Sequence, residues 1–189
     1  MADPIDITED KRSTRDQILD AAEAVVEREG ARRLTIDAVV KESGFSKGGV
    51  LYNFSSKQAL IEGMIARMVG SIEGEMDEAW QRAQKRGDPV LPLLIKAVLG
   101  HRKRNSRVSM ALLAAAAENP DLIDPVRDCV TEMRQAITER AHDPDLARIA
   151  FLAADGLHFA DILGIDFLTP GERRSVEKRL VDLVSEPSS

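Results

Sequence analysis

A single cysteine, Cys129, rules out an internal disulfide and any zinc cluster built on cysteines. Aromatic residues make up only 4% of the 189 residues, while Ala, Leu and Val abound, a balance that favours helix over sheet. Long apolar runs are missing: the most apolar late stretch, IAFLAADGLHFADILG, is interrupted by Asp155 and Asp161 and is too short to span a bilayer. The opening MADPIDITEDKR is acidic and has no apolar h-region, so a signal peptide is not expected and a soluble, cytoplasmic chain is. No alternating apolar–polar stretch of the kind that marks a strand competes with the helical signals. There is no nucleophile–base motif and no phosphate-binding glycine loop. Three histidines do not make a plausible metal triad. Neither enzyme activity nor a cofactor or metal is therefore expected.

What is present suits an all-α protein. Hydrophobic residues at 43% are ample for a core, and charged residues at 31% suit long solvent-faced helices. The net charge of −6 argues against a nucleic-acid partner only when it is read as one number. Residues 30–57 carry Arg32, Arg33, Lys41, Lys47 and Lys57 against Asp37 and Glu42, a local excess of three positive charges. The local field, rather than the total, decides contact with phosphate.

Capping signals divide the chain into about nine predicted helices. Residues 1–12 read as a polar, disordered arm. Ser13 caps a first helix whose apolar face is Ile18, Ala22, Val25 and Val26, and Gly30 stops it. Thr35 caps a short second helix ending at Gly44. Ser46 opens a third that reaches about Asn53. Ser55 and Gln58 form a capping-box pattern for a long fourth helix, which runs to roughly Arg86. Five more follow: Pro89 to about Gly100, Lys103 to Glu118, Leu122 to Ala141, Asp143-Pro144 to Gly164, and a last one after Thr169-Pro170-Gly171-Glu172. The expected organisation is a helix-turn-helix domain over 13–57, followed by a larger helical bundle over 58–189 for ligand sensing and dimerisation.

The informative stretch is TIDAVVKESGFSKGGVLYNFSSK, Thr35 to Lys57. Two short helices about a bend at Ser43-Gly44-Phe45 make a helix-turn-helix, with Gly44 suited to a bend of positive φ. Val39, Val40, Phe45, Val50 and Phe54 would hold the pair against the first helix. The exposed face of the second then carries Ser46, Lys47, Gly48, Tyr52 and Asn53. One cation, hydroxyls, an amide and a glycine fit the major groove and its flanking phosphates. Two glycines, Gly48 and Gly49, stand in the first turn, where each costs about 0.5–1 kcal/mol relative to alanine. Close approach to DNA explains them, and so does a simple helix start.

Here the sequence resembles the TetR family of bacterial regulators, specifically over about residues 14–62. Ser46-Lys47-Gly48, Tyr52, Phe54, Ser56-Lys57 and Leu60 stand at the family's spacing. The resemblance implies that Thr35, Tyr52 and Lys57 touch phosphate, that Lys47 meets a base edge or a phosphate, and that Ser46 and Gly48 lie beside the DNA backbone. Three positions depart from the pattern. Gly49 stands where the family usually has Thr, Asn53 where it has His, and Val40 where it has Ala.

The resemblance extends to the C-terminal residues only as architecture: a sensing bundle whose last two helices pair two subunits. Small residues Ala150, Ala153, Ala154, Gly156 and Ala160 permit close helix approach, in a dimer interface or within the chain. Met68, Met110, Leu113, Asp155, His158 and Phe159 are the candidate pocket residues, with Met64, Trp80 and Met133 as further apolar candidates. Asp155 and His158 lie three apart on one helical face, which fits a polar group in a pocket, a satisfied core histidine or part of a metal site. The basic run His101-Arg102-Lys103-Arg104 with Arg107 reads as a solvated helix junction or an anion site, and Cys129 as an inert core thiol. The expected function is a homodimeric repressor, released from a near-palindromic double-stranded DNA operator by a small-molecule effector. The alternative is a helical adaptor that binds only protein.

Overall fold

The computed structural model describes residues 13–139, 141, 143–165 and 167–185, and only the backbone of residues 102–107, 110, 111, 114 and 118. The arm expected over 1–12 and His142 lie outside the described residues. Among the described residues, every regular element is helical and none is a strand. The chain folds as two compact units, Met1–Leu60 and Ile61–Ser189.

The first unit holds α1 (Thr14–Glu29), a 3-10 turn (Ala31–Arg33), α2 (Ile36–Ser43) and α3 (Lys47–Asn53). Each start is set by side-chain chemistry. The Ser13, Thr35 and Ser46 hydroxyls accept from the N–H groups of Asp16, Ala38 and Gly49, satisfying donors the helix itself cannot. Gly44 ends α2 at φ 73°, a left-handed conformation that a side chain rarely adopts. Ile18, Ala22, Val25, Val39, Val50 and Phe54 are buried, as the helical spacing requires, whereas Val40 and Phe45 are only half-buried. Arg28 ties α1 to α2 through Glu42 at 2.8 Å, and the guanidinium holds the Glu42 carboxyl below its usual range.

The second unit contains most of α4 (Lys57–Arg86), then α5 (Val90–Glu118), a 3-10 turn (Pro120–Ile123), α6 (Asp124–Glu139), α7 (Pro144–Leu163) and α8 (Pro170–Leu183). Leu94, Ile95, Val98, Met133, Ile137, Ala147, Ala150 and Ala154 belong to its core. α8 opens with a complete capping box, in which Thr169 and Glu172 each accept from the other's backbone N–H. The Arg173 guanidinium forks onto Asp161, joining α8 to α7, and its Nε reaches Glu177 at 2.8 Å.

Two boundaries differ from the sequence reading. The predicted helices on either side of Gly100 are one helix, α5. An interior glycine costs only about 1 kcal/mol and does not stop a helix by itself. The buried stripe Leu91, Leu94, Ile95, Val98 and His101 resumes as Val108, Leu112 and Ala115, so packing carries the helix through. The cap of α4 is Ser56, one residue later than expected: its Oγ accepts from the Ala59 N–H at 3.0 Å. Adjacent serines offer two registers, and the local pattern alone does not choose between them.

Candidate nucleic-acid interface and cavity

Six of the seven candidate residues stand exposed on or beside α3, and Asn53 does not. Tyr52 is 91% exposed, an unusual placement for a large aromatic side chain with no outside partner. Thr35, Ser46, Lys47, Gly48 and Lys57 are exposed as well. Asn53 is half-buried and turned inward: its Nδ2 donates to the Gly49 carbonyl at 3.0 Å, and its own carbonyl accepts from Arg15 at 3.1 Å. The amide therefore braces α3 instead of standing on its outer face.

The glycine pair separates into two roles. A Cβ on Gly49 would sit 3.3 Å from Ser46 Oγ, crowding the cap that starts the helix. The hydroxyl would have to give by a few tenths of an ångström to admit a side chain there. A Cβ on Gly48 would meet nothing within 4 Å, so only the outside is left open by its absence. Lys47 also has a neighbour that residue counting did not reveal. Its Nζ lies 2.8 Å from Asp37 Oδ1 on α2. Arg15 was missed too; its guanidinium stacks 4.2 Å above the Phe54 ring.

The second unit holds a half-open cavity of about 290 Å³. Met68, Leu113, Asp155, His158 and Phe159 line it, together with His101, Cys129 and Met133. The Met110 side chain lies outside the described residues, as do those of Arg102, Lys103, Arg104 and Arg107. Met64, a further apolar candidate, is core. His101 is buried with Nδ1 3.1 Å from Glu75 Oε1, and Ser109 Oγ approaches Met68 Sδ at 3.8 Å. Burial, with Glu73 and Glu132 nearby, pushes the Cys129 thiol up, so its reactive thiolate is scarce.

The small residues of α7 do not form one outward stripe. Ala150, Ala154 and Ala160 are buried in the unit's own core. The exposed stripe is made of large residues instead: Ile149, Leu152, Phe159 and Leu163, spaced with Gly156 at alternating intervals of three and four.

Residues 18–64 match the family described as bacterial regulatory proteins, tetR family, and residues 90–185 match the tetracyclin repressor-like C-terminal domain. The chain belongs to the TetR family. TetR-family proteins are DNA-binding transcriptional regulators and not enzymes, and this chain is such a regulator. A stretch of 76 residues, 40% of this chain, is 38% identical to the uncharacterized HTH-type transcriptional regulator YfiR of Bacillus subtilis (strain 168) and spans 33% of that protein. A transcriptional regulator from Rhodococcus sp. Rha1 shares the TetR-type fold with a TM-score of 0.73 at 19% identity, covering 91% of this chain and 96% of its own. A TetR-family member from Streptomyces coelicolor A3 does so with a TM-score of 0.66 at 20% identity, covering 91% and 99%. Among the described residues, no helix is long and apolar enough to cross a membrane.

Proposed function

We propose that this regulator is a homodimeric repressor that leaves a near-palindromic operator when a small, largely apolar molecule enters the cavity of its second unit. Residues 13–57 bind DNA in this reading, and residues 58–189 sense the effector and pair the subunits. The outer face of α3 carries the proposal: an exposed tyrosine, an exposed lysine and a side-chain-free approach at Gly48. Two copies of α3 lie in successive major grooves about 34 Å apart. Thr35, Tyr52 and Lys57 take phosphate, Ser46 and Gly48 lie along the backbone, and Lys47 reaches the bases. Asn53 acts through the shape of α3.

The cavity is close to the lower size of small-molecule sites and has the usual apolar walls with a few polar groups. We assign pairing to the exposed α7 stripe; Phe159 both lines the cavity and stands half-exposed on that stripe, so an occupant touches a side chain of the pairing face. Helix α4 is continuous from the first unit into the second and carries Met68 and Ile72 to the cavity wall. An effector releases DNA only by binding the unbound state more tightly than the DNA-bound one.

Selection from a random DNA pool followed by gel shift tests the DNA half of this reading. A near-palindrome should emerge, and Lys47→Ala/Tyr52→Ala should weaken its binding about ten-fold or more, by the magnitude of lost base and phosphate contacts. Equal binding by both proteins overturns it. For the cavity, Cys129 gives an intrinsic probe. Alkylation of the native chain is expected to be much slower than that of the unfolded chain, and slower again with an effector bound. Labelling at the unfolded rate shows that the cavity wall is open to reagent and unsuited to holding a ligand.

A further inference from the structure

We propose that Asp37 and Lys47 form a specificity-determining pair that reads one G·C base pair per half-site, Lys47 donating to guanine and Asp37 accepting from the amino group of the paired cytosine. The inference rests on the reading that α3 enters the major groove. Asp37 lies in the first turn of α2 and Lys47 is the first residue of α3, and the turn between the helices brings Oδ1 and Nζ to 2.8 Å. Their side chains are 76% and 62% exposed, so the pair contributes little to holding the fold together.

A carboxylate on a face that meets a polyanion weakens binding to every DNA sequence, because phosphate is everywhere along the duplex. The Lys47 ammonium offsets part of that penalty, and a hydrogen-bond donor in the groove offsets the rest. The donors available there are the cytosine N4 and adenine N6 amino groups. A G·C pair presents the guanine O6 and N7 acceptors beside the cytosine N4 donor. An ammonium and a carboxylate held side by side present the complementary order. Guanine is also the commonest specific base partner of lysine, which favours G·C over A·T. Asp37 thus rejects wrong sequences and orients the cation that accepts the right one.

Operator selection and quantitative binding with the full chain, as wild type, Asp37→Asn and Lys47→Ala, test this. In the wild type, changing one G·C pair per half-site to A·T should lower affinity about ten-fold or more. Asp37→Asn should select the same operator with that one preference flattened and bind random DNA more tightly. Its plot of log affinity against log salt should steepen by about one contact, as Lys47 turns to phosphate. Asp37→Glu, which keeps the charge but displaces it, should keep weak binding to random DNA and lose most of the discrimination. An unchanged melting curve for Asp37→Asn separates these effects from folding.

Loss of the operator in Lys47→Ala with unaltered selectivity and salt slope in Asp37→Asn overturns the pair and leaves the DNA reading intact. Relaxation at an A·T pair overturns the base assignment. Identical binding by all three proteins overturns both this inference and the groove placement of α3.

Discussion

Phe54→Ala is expected to destabilise the helix-turn-helix by about 3–5 kcal/mol and abolish operator binding. The ring is 1% exposed, the largest fully buried side chain among the described residues. It sits at the C-cap of α3, where its N–H closes the last turn onto the Val50 carbonyl at 2.8 Å. It is also the platform for Arg15, whose guanidinium stacks 4.2 Å above it and bonds the Asn53 carbonyl. Removing the ring leaves a cavity and takes away what positions Arg15. The whole stability of a natural domain is about 5–15 kcal/mol, and a small helical unit stands at the lower end. Hydrogen exchange of the α1–α3 amides should accelerate, and gel shift should show no complex. Phe54→Leu, which keeps most of the volume, should lose less than about 1.5 kcal/mol and still bind. Arg15→Ala should lose only about 1 kcal/mol, the worth of an exposed cation–π contact. Native affinity in Phe54→Ala would show that Val39 and Val50 suffice to hold α3.

What was legible in the sequence was chemistry that acts within four residues. Ser13, Thr35, Ser46, Asp143 and Thr169 all cap the helices they precede. Hydroxyl or carboxylate oxygens reach a backbone N–H two or three positions on, whatever the rest of the chain does. Gly44 and Gly164 end helices with positive φ for equally local reasons. The candidates Met68, Leu113, Asp155, His158 and Phe159 also line one cavity, because polarizable, aromatic and isolated polar residues on otherwise apolar faces gather where a bundle leaves space.

Contacts between elements were not legible. Asp37 and Lys47 are ten positions apart, and only the turn geometry makes them neighbours. The continuity of α5 through Gly100 depends on a buried stripe that resumes at Val108. On α7, Ala150 and Leu152 are equally plausible at a helix–helix contact. The core takes the alanine and leaves the leucine outside. Periodicity places residues on faces; it does not say which face looks inward.

That last assignment carries the second large effect. In the proposed homodimer, with the exposed α7 stripe as the pairing face, Leu152→Asp is expected to convert dimers to monomers. Leu152 is 66% exposed and sits in the stripe with Ile149, Phe159 and Leu163. The monomer therefore gives up almost no packing when the side chain changes. A two-fold interface uses the same patch on both subunits, so each substitution is felt twice. Losing a buried leucine contact and leaving an unpaired carboxylate each cost about 2–3 kcal/mol or more, so the dimer weakens by several kcal/mol, a thousand-fold or more in dissociation constant. Operator affinity falls with it, because the second half-site is held only through the first, and such linkage is worth roughly 10²–10⁴-fold. Sedimentation equilibrium over a range of concentrations reads the first effect and gel shift the second. Ala154→Asp, on the 1% exposed side of the same helix, should instead lower the melting temperature of the second unit itself. A Leu152→Asp protein that stays dimeric with an unchanged dissociation constant removes the α7 stripe as the pairing face. It also removes Phe159 as the link between cavity and partner.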